Sequence, residues 1–316
     1  MLNVSKDRSG VRCIFLVNGR SRVKSVDLIG RDYFMRELDE YIDKVKSLPP
    51  APRVLPQLLK LLGQPDIDNS KVVELITYDP SLTAMVLQVC NSAYLGAATP
   101  AADLEEAVMR LGFDKVYQIV AAGSIGRTIA PAQKGYGIGE VELWKHCVTA
   151  AVAGELMAKD NGDDQSIVFT AALLHDIGKI ILAQALGQVY SKLIEDAEAN
   201  QYSLLETEKR LLGVHHAEIG GRLLDRWKFP PNMVAAVCFH HQPGAAVPYE
   251  KLASYVYLGN MIAHFLGHGY GHQAFALRGR AESLNILGLS PEVLPSYMIQ
   301  TVQSFQSVQA LLKIRS

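Results

Sequence analysis

The sequence predicts an all-α protein carrying a small β element at its N-terminus. Three observations lead there. From about residue 32 onward, apolar residues recur at three- and four-residue steps, as at Phe34, Leu38, Ile42 and Val45, the spacing of one helix face. Helix start and stop signals punctuate these runs. The one stretch of strand character is VRCIFLVNGRSRVKSVDL (11–28), where Asn18-Gly19 separates two runs rich in Val, Ile and Phe. Asn-Gly suits the positive-φ positions of a type I′ turn, so 11–28 reads as a β-hairpin. A lone hairpin is marginal in water, so it packs on the main body or pairs with another chain.

The helices follow in order. RDYFMRELDEYIDKVKSL is closed by Pro49-Pro50, because proline disfavours helix in the residue before it. PRVLPQLLKLLGQP is a short helix stopping at Gly63, and DNSKVVELITYD opens at Asn69 or Ser70. In YDPSLTAMVLQVCNSAYLG, Asp79 is the N-cap and Pro80 the first helical residue. DLEEAVMRLGF has Asp103 and Glu106 at capping-box spacing and Gly112 as its stop; DKVYQIVAAGSIGRTIA follows. The Gly-rich segment 131–140 is the best internal boundary. Beyond it come EVELWKHCVTAAVAGELMAKD, the almost wholly apolar SIVFTAALLHDIGKIILAQAL, SLLETEKRLLG with a Ser203/Glu206 capping box, HHAEIGGRLLDRWKF, PPNMVAAVCFHH and YEKLASYVYLGNMIAHFLG. LSPEVLPSYMIQTVQSFQSVQALLKI holds two more helices. The expected division is 1–31 for the N-terminal extension, 32–135 for a first helical half and 136–316 for a second.

With 316 residues, 49% hydrophobic and 20% charged, the chain can bury a large core. A net charge of −1 gives no support to a polyanion-binding surface, so nucleic acid is not an expected partner. No uninterrupted apolar run reaches the roughly 18 residues of a membrane span, and the N-terminus lacks a signal peptide's apolar segment. A membrane partner is therefore not expected, and the expected setting is the cytoplasm. Cys13, Cys90, Cys147 and Cys238 are scattered, as free thiols in a reducing compartment are. Cys147 adjoins His146, which leaves redox sensitivity open.

Six of the nine histidines form a pattern. His146 precedes the pair His175-Asp176 by 29 residues (175 − 146), and His215-His216 and His240-His241 follow. Imidazole and carboxylate are good ligands for Zn, Fe, Mn or Ni. Adjacent residues on a helix point about 100° apart, so His175 and Asp176 could serve one ion with different partners or bridge two. The competing reading is a buried, hydrogen-bonded polar pair tying helices together. His264, His268 and His272 read as exposed or loop residues.

The order of His146 and LLHDIGK resembles the HD superfamily of metal-dependent phosphohydrolases. The segments LPPAPRVLPQLLKLLGQPD, ITYDPSLTAMVLQVCNSAYLG, DLEEAVMRLGFDKVYQIV, HHAEIGGRLLDRWKFP and FHHQP narrow this to the HDOD family, the HD-related output domain of bacterial signalling proteins, over roughly 40–260. The resemblance implies an HD-like helical bundle preceded by a helical N-terminal half, a bacterial cytoplasmic setting and a regulatory role, most HDOD domains having lost the metal constellation. His146, His175, Asp176, His216, His240 and His241 stand where the related HD-GYP phosphodiesterases have ligands. Asn260 stands at or near the position of the last Asp, and Gln242-Pro243-Gly244 follows the His pair where those enzymes have Gly-Tyr-Pro.

If the site is retained, Asp176 bridges two positions, and losing one anionic ligand at Asn260 weakens a second ion more than a first. The expected cofactor is one divalent ion, Fe, Mn, Zn or Ni, or a weak pair. Lys179, one turn after Asp176, either neutralises a phosphate in the cavity or snorkels at the surface. The expected function is a signalling module with little or no hydrolysis, binding a partner protein or a nucleotide-like ligand. The alternatives are an active phosphohydrolase using Asp176 and Lys179, and a scaffold whose histidines are core residues. The hairpin is the expected oligomerising or regulatory element.

Overall fold

The structure, a computed structural model, describes residues 38–45, 54–62, 64, 69–77, 79–91, 101–133, 137–200, 202–269 and 280–312. The expected hairpin at 11–28, Cys13 and His272 lie outside these residues. What is described is helical, and its one β feature is an isolated bridge between Gln133 and Ile138.

A helical turn at 38–43 buries Leu38 and Ile42 on one side, as their spacing predicts. Then come α1 (Val54–Leu62), α2 (Asn69–Thr77), α3 (Pro80–Cys90), α4 (Leu104–Leu111) and α5 (Phe113–Ile129). The caps at Asp79, Asp103 and Gly112 are those the sequence signals, whereas Asn69 and Ser70, expected as N-cap candidates, are already the first two helical residues of α2. Asp79 accepts from the backbone N–H groups of Ser81 and Leu82, with Pro80 leading the helix. Asp103 accepts from the Glu106 N–H at 2.8 Å, while the Glu106 side chain reaches back one residue further than a standard capping box, to the Ala102 N–H. Gly112 ends α4 at φ 76°, a backbone conformation that side chains with a Cβ rarely adopt.

The second half contains α6 (Glu142–Asp160), α7 (Gln165–Leu174), α8 (Ile177–Leu186), α9 (Gln188–Asn200), α10 (Leu204–Leu212), α11 (His216–Arg226), α12 (Pro231–Cys238), α13 (Glu250–Phe265), α14 (Arg280–Leu287) and α15 (Leu294–Leu312). At its centre α6 is buried over most of its length and packs against α7, α13 and α15. Helix α11 packs on α8 and α12. One apolar core runs from Leu38 through Leu55, Val86, Val120, Val148, Phe169 and Leu224 to Phe305, so both halves share it.

Two sequence expectations are corrected. The apolar segment around LLHDIGK is not one helix: α7 ends at Leu174, His175 caps it, and Asp176 starts α8 from φ −100°, ψ 11°. The break turns both side chains inward at a corner. The final segment holds one long helix preceded by a 3-10 turn at Pro291–Val293, because Pro295 sits in the first turn of α15, where no backbone N–H is required. By length and composition Gln165–Leu186 could cross a membrane, yet 89% of its most apolar window is buried by neighbouring helices, as in a core segment.

Candidate metal centre

The corner at residues 175–176 meets side chains from four other helix segments. His146 comes from the second turn of α6, His216 opens α11, His240 and His241 follow α12, and His264 lies in the last turn of α13. Close helix approach is built in by two glycines. A Cβ on Gly178 would lie 1.9 Å from the His216 carbonyl oxygen, and one on Gly259 would lie 2.3 Å from that of Ala150. Gly178 therefore lets α8 touch α11, and Gly259 lets α13 touch α6.

The Asp176 carboxylate is the hub. Its Oδ2 lies 3.5 Å from His146 Nε2 and 3.4 Å from His175 Nε2. Its Oδ1 lies 3.5 Å from His216 Nε2 and 3.8 Å from His240 Nε2. The rings meet one another directly, with His146 Nε2 3.2 Å from His175 Nε2 and His216 Nε2 2.9 Å from His241 Nε2. Two groups result, His146/His175/Asp176 and His216/His240/His241, each with its ligand atoms within 4.8 Å of one another.

Hydrogen bonds behind the rings fix which nitrogen faces the centre. His175 Nδ1 lies 2.6 Å from the Ala172 carbonyl, His240 Nδ1 2.7 Å from that of Val237, and His216 Nδ1 2.6 Å from Glu208 Oε2. Carbonyl and carboxylate oxygens only accept, so in the neutral rings each Nδ1 carries the hydrogen and each Nε2 turns a lone pair toward Asp176. Burial, followed by the neighbouring His175, pushes the His240 pKa well down; burial, followed by His240 and His216, does the same to His241, so both rings stay neutral. Burial would raise the Asp176 pKa, but its interactions with the neighbouring His175 and Lys179 hold the carboxyl well below the usual range. His240 Nε2 is fully buried and makes no hydrogen bond among the described residues. Converging lone pairs around a carboxylate, 3.4–3.8 Å apart, match ligand atoms that each sit about 2.1 Å from a shared cation. The donor set fits a divalent ion.

The structure thus brings together His146, His175, Asp176, His216, His240 and His241. Lys179, for which a surface position had been an alternative, is 1% exposed and donates to Asp176 Oδ2 at 2.6 Å. Asn260 is buried on α13, one turn before His264, and its Oδ1 makes no hydrogen bond among the described residues. His264 is not a loop residue: it ends α13 with its ring centroid 4.8 Å from that of His146. Burial, with Lys179 adding to it and Asp176 opposing, takes its pKa to about 4. His268 is half-buried and bonds Thr149 Oγ1 at 2.6 Å. Burial raises the Cys147 thiol pKa well above normal, which argues against a reactive thiolate beside His146.

Sequence reasoning missed Glu208 and Tyr190. Glu208 is fully buried on α10, accepts from the backbone N–H of His216 at 2.9 Å, and is bonded by the Tyr190 hydroxyl and by His216 Nδ1. Burial works against its ionisation, but His216 and these bonds bring its pKa down to about 2. An acid eight residues before His216 carries no local signature; its role appears only when α10 folds back onto α11.

A family model described as the HDOD domain matches residues 48–243. The chain belongs to the HDOD family. An uncharacterized protein of Treponema pallidum (strain Nichols) is 30% identical over 229 residues, 71% of this HDOD chain, which spans 44% of that relative's length. A solved HDOD domain protein of unknown function from Geobacter sulfurreducens is 22% identical with a TM-score of 0.71, covering 90% of this chain and 100% of its own, and so shares the fold. A Shewanella amazonensis SB2B structure, provisionally named a phosphohydrolase, is 25% identical with a TM-score of 0.66 over 87% of this chain and 98% of its own.

Proposed function

We propose that this HDOD chain is a regulatory signalling module that holds a divalent cation at the Asp176 corner and turns over phosphoesters slowly or not at all. The observation that carries the reading is the double facing of Asp176, with one oxygen toward His146 and His175 and the other toward His216 and His240. An ion bound there would polarise a phosphoryl oxygen and lower the pKa of a water toward about 7. The residues of this chain contribute the rest. His175 and His240 are held by backbone carbonyls and His216 by Glu208, so the donor set is ordered before an ion arrives.

Weak turnover follows from two features. Asn260 supplies a neutral amide where the related phosphodiesterases have a carboxylate, and Gln242-Pro243-Gly244 follows the His pair. Lys179, which in an active site would face a substrate phosphate, is held on Asp176. The pocket then serves as a sensor whose occupancy biases binding of a partner protein or a nucleotide-like ligand. The competing reading, a metal-dependent phosphohydrolase, is favoured over a scaffold by the six candidate ligands gathered at the corner and by likeness to the Shewanella protein.

The deciding experiment is elemental analysis of protein purified without a His tag, run beside a phosphodiesterase and nucleotidase screen. Metal without turnover is expected. Metal with turnover selects the hydrolase, and the absence of both selects a scaffold with core histidines.

A further inference from the structure

We infer that Lys179 is a built-in cation occupying the His146/His175 side of the centre, and that the chain binds a single divalent ion, held by His216, His240, His241 and Asp176 Oδ1. This rests on the metal reading above and specifies which half of the site it concerns.

The two oxygens of Asp176 are not equivalent. Oδ2, the one facing His146 and His175, already accepts from the Lys179 ammonium at 2.6 Å. That is the oxygen an ion in the first group would need. Lys179 lies in the first turn of α8 and is 1% exposed, so burial and the bond to Asp176 hold its ammonium in place. An added divalent ion would share the oxygen with a positive charge a few ångströms away in a buried site, where like charges repel strongly. Helix α13 offers no compensating carboxylate on this side. It brings His264 against His146 and carries the neutral Asn260 one turn earlier.

The other side has the opposite balance. Oδ1 faces His216 and His240. Glu208 adds a second buried carboxylate directly behind His216, through Nδ1 at 2.6 Å, which raises the basicity of the nitrogen that faces the centre. His240 Nε2 is buried without a hydrogen bond among the described residues, so its lone pair is ready for a cation. His241 completes the group 2.9 Å from His216 Nε2. One side is already neutralised; the other holds surplus negative charge and an unused donor.

The test uses the full chain, stripped with a chelator, reloaded with excess Co(II), dialysed, and measured for metal per chain and for the visible ligand-field spectrum of the cobalt. The expected wild-type result is one ion. His240→Ala should lose it, as should His241→Ala at the less buried position should the first variant fold poorly. His146→Ala should retain one ion with an unchanged spectrum. Lys179→Met should raise the count to two. Two ions in the wild type overturn this inference and leave the metal reading standing. Loss of the ion in His146→Ala, or a Lys179→Met chain that stays at one, overturns it likewise. No ion in the wild type overturns both.

Discussion

A buried carboxylate bonded to a buried ammonium makes Asp176 an energetic as well as a chemical centre. Both groups are 1% exposed, so neither can be rehydrated when the other is lost. Removing one partner of such a pair costs about 3–5 kcal/mol, far more than the pair contributes as a whole. Asp176→Asn should therefore lower stability by about that amount in urea unfolding, and adding Lys179→Met to the same chain should recover most of it. If the double variant is as unstable as the single one, the pair is not what holds the corner. A partly buried acid, Glu155, behaves differently. Burial raises the Glu155 carboxyl pKa to about 7, outweighing its bond from Gln118, whereas the unfolded group titrates near 4.5. The folded state thus keeps a proton that the unfolded state has released. The contribution of Glu155 is fully present below pH 4.5 and is lost as pH rises through 7. Glu155→Gln, which cannot ionise, should gain several degrees in Tm relative to the wild type at pH 8, with the gap closing toward pH 4.5. An equal gap at both pH values would contradict this.

At the scale of elements, the corner depends on how closely α8 and α11 approach. A Cβ at 178 would lie 1.9 Å from the His216 carbonyl oxygen and 2.7 Å from the Gly220 nitrogen, both backbone atoms that cannot rotate aside. Gly178→Ala should separate the two helices, destabilise the fold by about 1–3 kcal/mol and weaken cobalt retention, because His216 moves with α11 away from Asp176. Unchanged stability with unchanged cobalt would refute the close-packing role. Helix periodicity and caps were legible in the sequence because they are local: Asp79, Ser203 and Gly112 act within four residues of themselves. The set His146, His175-Asp176, His216, His240-His241, which the fold gathers at one corner, was picked out through resemblance. The break between α7 and α8 was not, since an apolar run hides a corner made by tertiary packing. Glu208 was not legible either, because its partners Tyr190 and His216 lie on other helices. His264 was within reach: it is four residues after Asn260, hence on the same helix face.

At the scale of the molecule, the two halves are joined by apolar burial and by charge. The core that begins at Leu38 ends at Phe305, and α15 lies against both α3 and α6. On the outside, Arg222 grips Asp39 through Nε at 2.8 Å and a second nitrogen at 3.0 Å, and Arg226 reaches both Asp39 and Asp43. The hydrogen bond from Arg222 holds the Asp39 carboxyl below its usual range, with burial opposing. These groups are partly exposed, so the clamp adds about 1 kcal/mol or less and weakens with salt. Asp39→Asn should lower Tm by only a few degrees, and by less in high salt. The shared core is the stronger link, and it predicts one cooperative transition rather than two. Both tryptophans, Trp144 and Trp227, lie in the second half, whereas far-UV circular dichroism reports helices in both. Urea unfolding followed by the two probes should give superimposable curves. A dichroism curve with an extra step that tryptophan fluorescence does not see would show that α1 to α5 melt independently, and the common core would then not be what couples the Asp176 corner to the rest of the chain.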